Sequence, residues 1–174
     1  MKRKIILNLA ISLDGYIADA NGNYDWIEGD GQTKLDTEKD FSFPEFMDRI
    51  DTIVMGRKSF EDCPMEAFAN HKIIVATSHD KKNENNVAFV NTDIVTFVQD
   101  FQKREGKDIW LFGGSTLTAD FIQANIVDEY IIGIVPIILG SGIRLFKDNN
   151  PTIPLQLKDY TVKEGLPIFT YTRR

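Results

Sequence analysis

The run from Asp108 to Gln123, DIWLFGGSTLTADFIQ, constrains the fold more than any other part of the chain. Ile109, Trp110, Leu111 and Phe112 are consecutive and apolar, which suits a strand covered on both faces. Gly113 and Gly114 follow at once. Leu117, Phe121 and Ile122 then recur at roughly helical spacing, with Ser115 or Thr116 placed to cap a helix start. Strand, diglycine and helix form a unit with a chemical use. Residues without Cβ let a ligand approach the main chain. The free N–H groups of a helix start carry partial positive charge, which suits a phosphate. The alternative is mechanical: a tight strand-to-helix turn needs glycine for its backbone angles alone.

The rest of the chain repeats the alternation of strand and helix. Residues 4–13, KIILNLAISL, read as a central strand; Asp14-Gly15 breaks it and YIAD resumes it briefly. Residues 19–31 form a polar loop around Trp26, either a lid over a site or a surface loop pinned by that ring. A short helix lies within 32–51, with Pro44 in its first turn and Phe46, Met47 and Ile50 on its apolar face. Asp51–Met55 is the second strand, Lys72–Ala76 the third and Val87–Val90 the fourth. Thr92 or Asp93 caps a helix whose Ile94, Phe97, Val98 and Phe101 make the clearest amphipathic pattern here. YIIGIVPIILG, from Tyr130, is a long apolar run in which Pro136 marks an edge, a bulge or a strand end. The tail is a hairpin, Tyr160–Lys163 and Ile168–Thr172, turning at Glu164-Gly165. This order predicts an α/β fold over residues 1–174, a single domain with a largely parallel twisted sheet, flanking helices and a C-terminal antiparallel hairpin.

Composition removes several classes of function. A net charge of −6 argues against nucleic acid or an anionic membrane as the main partner. Cys63 is the only cysteine, so no internal disulfide forms and a reducing, cytoplasmic setting fits. No segment reaches the ~18–20 apolar residues that span a bilayer. The spacing of Asp19, Asn21, Asn23 and Asp25 is that of a calcium loop, but Tyr24 stands where glycine is needed and Asp30 where glutamate is. His71, His79 and Cys63 lack metal-ligand spacing, so no metal is expected. Ser12 and Ser115 lack the GxSxG elbow of a hydrolase.

Three strand ends carry related chemistry. Gly56-Arg57-Lys58-Ser59, Thr77-Ser78-His79 and Gly113-Gly114-Ser115-Thr116 each follow a β run. Ligands gather at the carboxyl ends of parallel strands. Together the turns offer cations, hydroxyls and open N–H groups, which match the several phosphates of a dinucleotide. Cations beside hydroxyls favour NADP over NAD. Arg57 and Lys58 at a helix start are unfavourable against the helix dipole unless an anion joins them. There is no GxGxxG after the first strand, so a Rossmann fingerprint is absent.

This combination resembles the dihydrofolate reductase superfamily, and within it the reductase (RibD C-terminal) domain of riboflavin biosynthesis and its stand-alone relatives. The segments that carry the likeness are ISLDGYIA at 11–18, DTIVMGRKSFE at 51–61, KIIVATS at 72–78, DIWLFGGSTL at 108–117 and VDEYIIGIVPIILGSG at 127–142. The resemblance implies a reductase using NADPH. Ala10 and Ile17 would line the nicotinamide region. Gly56, Arg57, Lys58 and Ser59 would face the phosphates and adenosine ribose, and Thr77 and Ser78 the adenine end. Gly113, Gly114, Ser115, Thr116 and Leu117 would hold the pyrophosphate, and Phe112 belongs to the same cofactor-binding set. Asn8 and Trp26 would face a small polar heterocyclic, carbonyl or imine substrate. Asp40 lies at the interval before Met55 that matches the catalytic acid of folate reductases, where a buried carboxylate of raised pKa would protonate a ring. Against that role, Pro44 leaves Asp40 in a loop, and Gly133 stands where a folate reductase keeps a threonine. Two alternatives stay open: a dihydrofolate reductase, and a nucleotide-binding domain of the same fold without turnover. A homodimer is expected, because YIIGIVPIIL is too apolar for a wet sheet edge and the riboflavin-type branch commonly associates.

Overall fold

The computed structural model describes residues 2–174. In chain order the elements are β1 (Ile5–Ser12), β2 (Tyr16–Ala18), α1 (Phe43–Asp48), β3 (Ile50–Gly56), α2 (Arg57–Asp62) and a 3-10 turn (Met65–Phe68). Then follow β4 (Lys72–Ala76), β5 (Val87–Val90), α3 (Ile94–Gln102), β6 (Asp108–Gly113), α4 (Ser115–Gln123), β7 (Glu129–Val135), β8 (Ile143–Arg144), β9 (Leu155–Lys163) and β10 (Leu166–Arg173). The strands are mostly parallel and flanked by helices, with a C-terminal antiparallel pair. The chain divides into two compact units, each discontinuous in sequence. One comprises the N-terminal segment through Leu7 with Phe43–Asp128, the other Asn8–Ser42 with Glu129–Arg174.

In the first unit the strands run in the order β5-β4-β3-β6-β1, and every pairing is parallel. Parallel strands with helices on their faces need apolar side chains in both directions. The sequence supplies them: Ile5, Ile6 and Leu7 of β1, Ile53 and Val54 of β3, Ile73 and Ile74 of β4, and Ile109 and Leu111 of β6 are all inaccessible to solvent. The crossover helices bury the residues their spacing marks. α3 sets Ile94, Val98 and Phe101 inward, and its cap is Asp93, whose side chain accepts from the N–H groups of Val95 and Thr96. Trp110 is core: its ring lies edge-on to Phe46 at 5.4 Å and Phe68 at 5.8 Å, and tilted against Phe112 at 4.9 Å. Arg3 is buried with its guanidinium bonded to Asp51 and Thr52, and burial holds its pKa below the usual arginine range.

In the second unit β7, β10 and β9 form an antiparallel set, and β2 pairs with β8. The β9–β10 hairpin turns through Glu164, φ 49°, and Gly165, φ 76°. Two left-handed residues between paired Lys163 and Leu166 make a type I′ turn, whose twist matches its strands. A Cβ on Gly165 would collide with the Asp30 carboxylate, so the loop before α1 needs that glycine too. Residues 36–37 flank β9: Val162 N–H donates to Thr37 Oγ1 at 3.0 Å, Thr37 N–H to Val162 O at 3.0 Å, and Glu164 N–H to Asp36 Oδ1 at 2.8 Å.

The structure corrects three expectations. The hairpin is longer, because β9 begins at Leu155; this strand is mostly exposed, so no sustained apolar run marks its first half. Neither Ser115 nor Thr116 caps α4. The cap position is Gly114 at φ 93°, a left-handed backbone that Ser and Thr adopt at a cost. Lastly, the apolar run of β7 is no wet edge: Tyr130, Ile131, Ile132 and Val135 are buried within the chain, and the strand stops before Pro136. The first motive for a homodimer therefore falls away.

Candidate active site

The registers of the first unit place three turns along one edge of its sheet. Gly56 pairs with Ala76, and Met55 with Gly113, so β3, β4 and β6 end side by side. The segments Gly56–Ser59, Thr77–Ser78 and Gly113–Leu117 issue from those ends.

The diglycine turn is built for close approach. Gly113 and Gly114 have φ values of 124° and 93°, and both belong to the left-handed side that favours glycine. A Cβ on Gly114 would stand 3.5 Å from Ser59 Oγ and 3.7 Å from Gly56 Cα. The β6–α4 turn thus rests on the β3–α2 turn at ordinary contact distance, and it is the positive φ of Gly114 that calls for glycine. No side chain caps α4, which leaves its first N–H groups without an internal acceptor from that source. Leu117 is buried and anchors the helix, Phe112 is half-buried, and Ser115 and Thr116 lie at the rim. A cradle that a Cβ would fill, backed by an uncapped helix start, fits a diphosphate.

Beneath this turn lies a residue that sequence reading passed over. Thr118 is 1 % exposed, and its Oγ1 has no hydrogen-bond partner. A Cβ on Gly113 would meet that oxygen at 3.8 Å and nothing nearer.

The cations differ from their expected state. Arg57 Nη1 donates to both carboxylate oxygens of Glu61, at 2.8 and 3.0 Å. Lys58 is exposed. At the end of β4, Thr77 Oγ1 accepts from the His79 N–H at 3.1 Å, and Ser78 Oγ lies 3.0 Å from His79 Nδ1. Among the described residues no three His, Cys, Asp or Glu side chains form a group that could hold a metal. Burial pushes the Cys63 thiol up.

The remaining candidates belong to the second unit. Asn8 and Ala10 lie on β1 and Ile17 on β2, all half-buried. Trp26 is half-buried too, and its Nε1 donates to Asn23 O at 3.1 Å, so the indole is tied to its own loop. Asp40 is exposed in a loop before α1 and accepts from Lys163 Nζ at 2.8 Å. Its carboxylate is thus solvent-exposed and ion-paired rather than buried. That hydrogen bond and charge raise the Lys163 pKa. Gly133 is buried on β7; a Cβ there would meet Leu166 Cδ2 at 3.3 Å and Ala10 Cβ at 3.5 Å, a closely packed apolar setting.

Sequence reading also passed over Asp14. Its carboxylate accepts from Ser12 Oγ at 2.6 Å, from Leu139 N–H at 3.1 Å and from Gly140 N–H at 2.8 Å. The Ser12 hydroxyl, then the main-chain donors, hold its pKa below the usual aspartate range. The signal was present in the Asp-Gly turn, but its main-chain partners lie far along the chain.

Two proteins of Bacillus subtilis (strain 168), both named uncharacterized, are similar over nearly their whole length. YyaP is 36 % identical over 90 % of this chain and 87 % of its own, and YwjB 33 % identical over 91 % of each. Among solved structures, a Shewanella sp. PV-4 protein named provisionally for riboflavin biosynthesis superposes with a TM-score of 0.80 at 26 % identity, covering 98 % of this chain and 99 % of that one. The Thermotoga maritima diaminohydroxyphosphoribosylaminopyrimidine deaminase/5-amino-6-(5-phosphoribosylamino)uracil reductase gives 0.70 at 15 % identity, over 99 % of this chain and 57 % of that one. Dihydrofolate reductase of Enterococcus faecalis, complexed with NADP(H) and RAB-propyl, gives 0.63 at 18 % identity, over 99 % and 98 %. These last two share the fold. The parallel strand ends with their glycine turns, and a match to the RibD C-terminal domain over residues 3–165, lead to one assignment: the chain belongs to the RibD C-terminal domain family.

Proposed function

We propose that the protein is an NADPH-dependent reductase that delivers hydride to a small polar heterocycle, carbonyl or imine, of the kind represented by a ribosylamino-pyrimidine. The observation that carries this reading is the diglycine cradle, in which Gly114 packs on Ser59 and Gly56 beneath an uncapped helix start. Membership of the RibD C-terminal family supports reductase chemistry, and the NADP(H) complex of a protein with the same fold supports the choice of cofactor. NADPH supplies the hydride; the chain's residues bind and orient it. The main chain of Gly113–Leu117 would receive the pyrophosphate. Arg57, Lys58, Thr77 and Ser78 would receive the phosphate and hydroxyls of the adenosine half. Ala10 and Ile17 would flank the nicotinamide, and Asn8 and Trp26 the substrate.

Dihydrofolate is a poor substrate on this reading. The exposed, Lys163-bound Asp40 is not the buried acid that folate chemistry requires, and Gly133 offers no hydroxyl beside it. The test is NADPH oxidation followed with dihydrofolate and with a ribosylamino-pyrimidinone side by side. Turnover of the second alone supports the reading. Efficient turnover of dihydrofolate, abolished by Asp40→Asn, returns the protein to the folate branch. Tight NADPH binding with no turnover of either, or of simple imines and carbonyls, favours a nucleotide-binding domain.

A further inference from the structure

Arg57 and Lys58 are neighbours at the end of β3, yet their charges are in different states. The Arg57 guanidinium is already engaged. Both oxygens of the Glu61 carboxylate sit on its Nη1, at 2.8 and 3.0 Å, and so use the two protons of that nitrogen. The Lys58 ammonium has no such hold: among the described residues no hydrogen bond or ion pair engages it.

A phosphate binds guanidinium best as a fork on two neighbouring nitrogens. With Nη1 taken, the edge made of Nε and Nη2 is what remains. The Glu61 carboxylate also carries negative charge beside any anion that lands there, and like charges at close range repel. Nothing makes the carboxylate hard to displace. The side chains of Arg57 and Glu61 are 53 % and 52 % exposed, so water and salt screen the pair. Arginine also precedes glutamate at i,i+4, the weaker of the two orders on a helix. Glu61 is thus strong enough to occupy Arg57 and weak enough to yield it.

We propose that Glu61 is an internal competitor for Arg57 that lowers the protein's discrimination between dinucleotides with and without the extra ribose phosphate. Lys58 then makes the first contact with that phosphate, and Arg57 joins when Glu61 lets go. Glu61 acts only through Arg57 and is a positioning residue, not a catalytic one. This inference rests on the reading of the β3–α2 turn as a cofactor phosphate site.

The test is a double-mutant cycle read by calorimetric titration of NADPH and of NADH, at low ionic strength, on the wild type, Glu61→Gln, Arg57→Ala and the double variant. Thermal melts of all four check that the fold is kept. The expected result is an NADPH affinity raised about threefold by Glu61→Gln, the scale of an exposed ion pair. NADH affinity stays unchanged, and the gain vanishes when Arg57 is alanine. An equal gain for both dinucleotides, a gain that survives Arg57→Ala, or no gain overturns the proposal while leaving the cofactor reading intact. A wild type that binds neither dinucleotide overturns the cofactor reading, and this inference with it.

Discussion

The Asp14 carboxylate accepts a hydrogen bond from the Gly140 main-chain N–H at 2.8 Å and so ties the turn after β1 to the turn before β8. With the bonds from Leu139 and Ser12, it makes one side chain the clasp between two loops of the second unit. These bonds are to the ionised form, and the pKa is accordingly lowered. A lowered folded-state pKa adds stability that is full above the unfolded value, about 3.9 for aspartate, and fades as pH falls through the lower folded value. Urea unfolding of wild type and Asp14→Asn should show a clear gap at pH 7 that closes as the pH drops below about 4. A gap of constant size across that range would mean that charge plays no part in the clasp.

Thr118→Val should leave stability unchanged or raise it by up to about 1 kcal/mol, because valine keeps the shape and removes a buried hydroxyl that has no partner. Urea midpoints of the two proteins at equal m-value settle the sign. A loss of more than about 1 kcal/mol would reveal a bond that the hydroxyl makes.

Gly114→Ala should lose NADPH binding. The substitution forces alanine to φ 93°, a backbone that side chains rarely adopt, while its methyl meets Ser59 Oγ only at an ordinary contact distance. Strain of that kind costs about 1–3 kcal/mol, paid at the turn itself. Titration should show NADPH affinity reduced at least about tenfold in a protein that still melts cooperatively. Unchanged affinity would remove the diglycine turn from the cofactor site.

Asp40→Asn should leave NADPH turnover with the preferred substrate unchanged, since the group is exposed and tied to Lys163. A pH–rate profile recorded on both proteins is the check. Loss of one limb of the profile in the variant would make Asp40 a catalytic acid after all.

We propose a homodimer on new grounds. With β7 covered, the exposed apolar side chains of the second unit include Leu157, 49 % exposed, and Tyr160, 56 % exposed, on β9. Light scattering should return about twice the chain mass of 19.8 kDa, and Tyr160→Glu should halve it. A wild-type value that stays near the single-chain mass over a micromolar range would dispose of the idea.

The parts of the fold that could be read from sequence are those where local pattern and burial agree. The apolar runs of β1, β3, β4 and β6 have no polar face to confuse them, and Asp93 announces α3. The turns after β3 and β6 were legible for the same reason: a glycine at the end of a buried strand has few other uses. What escaped reading depends on contacts between residues far apart in the chain. Asp14 meets Leu139 and Gly140, Thr37 meets Val162, and Thr118 owes its lonely hydroxyl to packing rather than to any neighbour in sequence. The Arg57–Glu61 pair is the exception. Its i,i+4 spacing was open to inspection, and attention to the cations alone concealed it.

The discontinuity of the two units has a consequence for how the protein is made. Residues 8–42 emerge from the ribosome early, yet the β-strands of their own unit begin again only at Glu129. At roughly 5–20 residues per second, the whole stretch Phe43–Asp128 must be translated while that segment waits without its partners. The first unit can assemble from its own strands once these have emerged, so a released fragment ending at Asp128 should protect Ile53, Ile73 and Leu111 from hydrogen exchange while Tyr16 remains open.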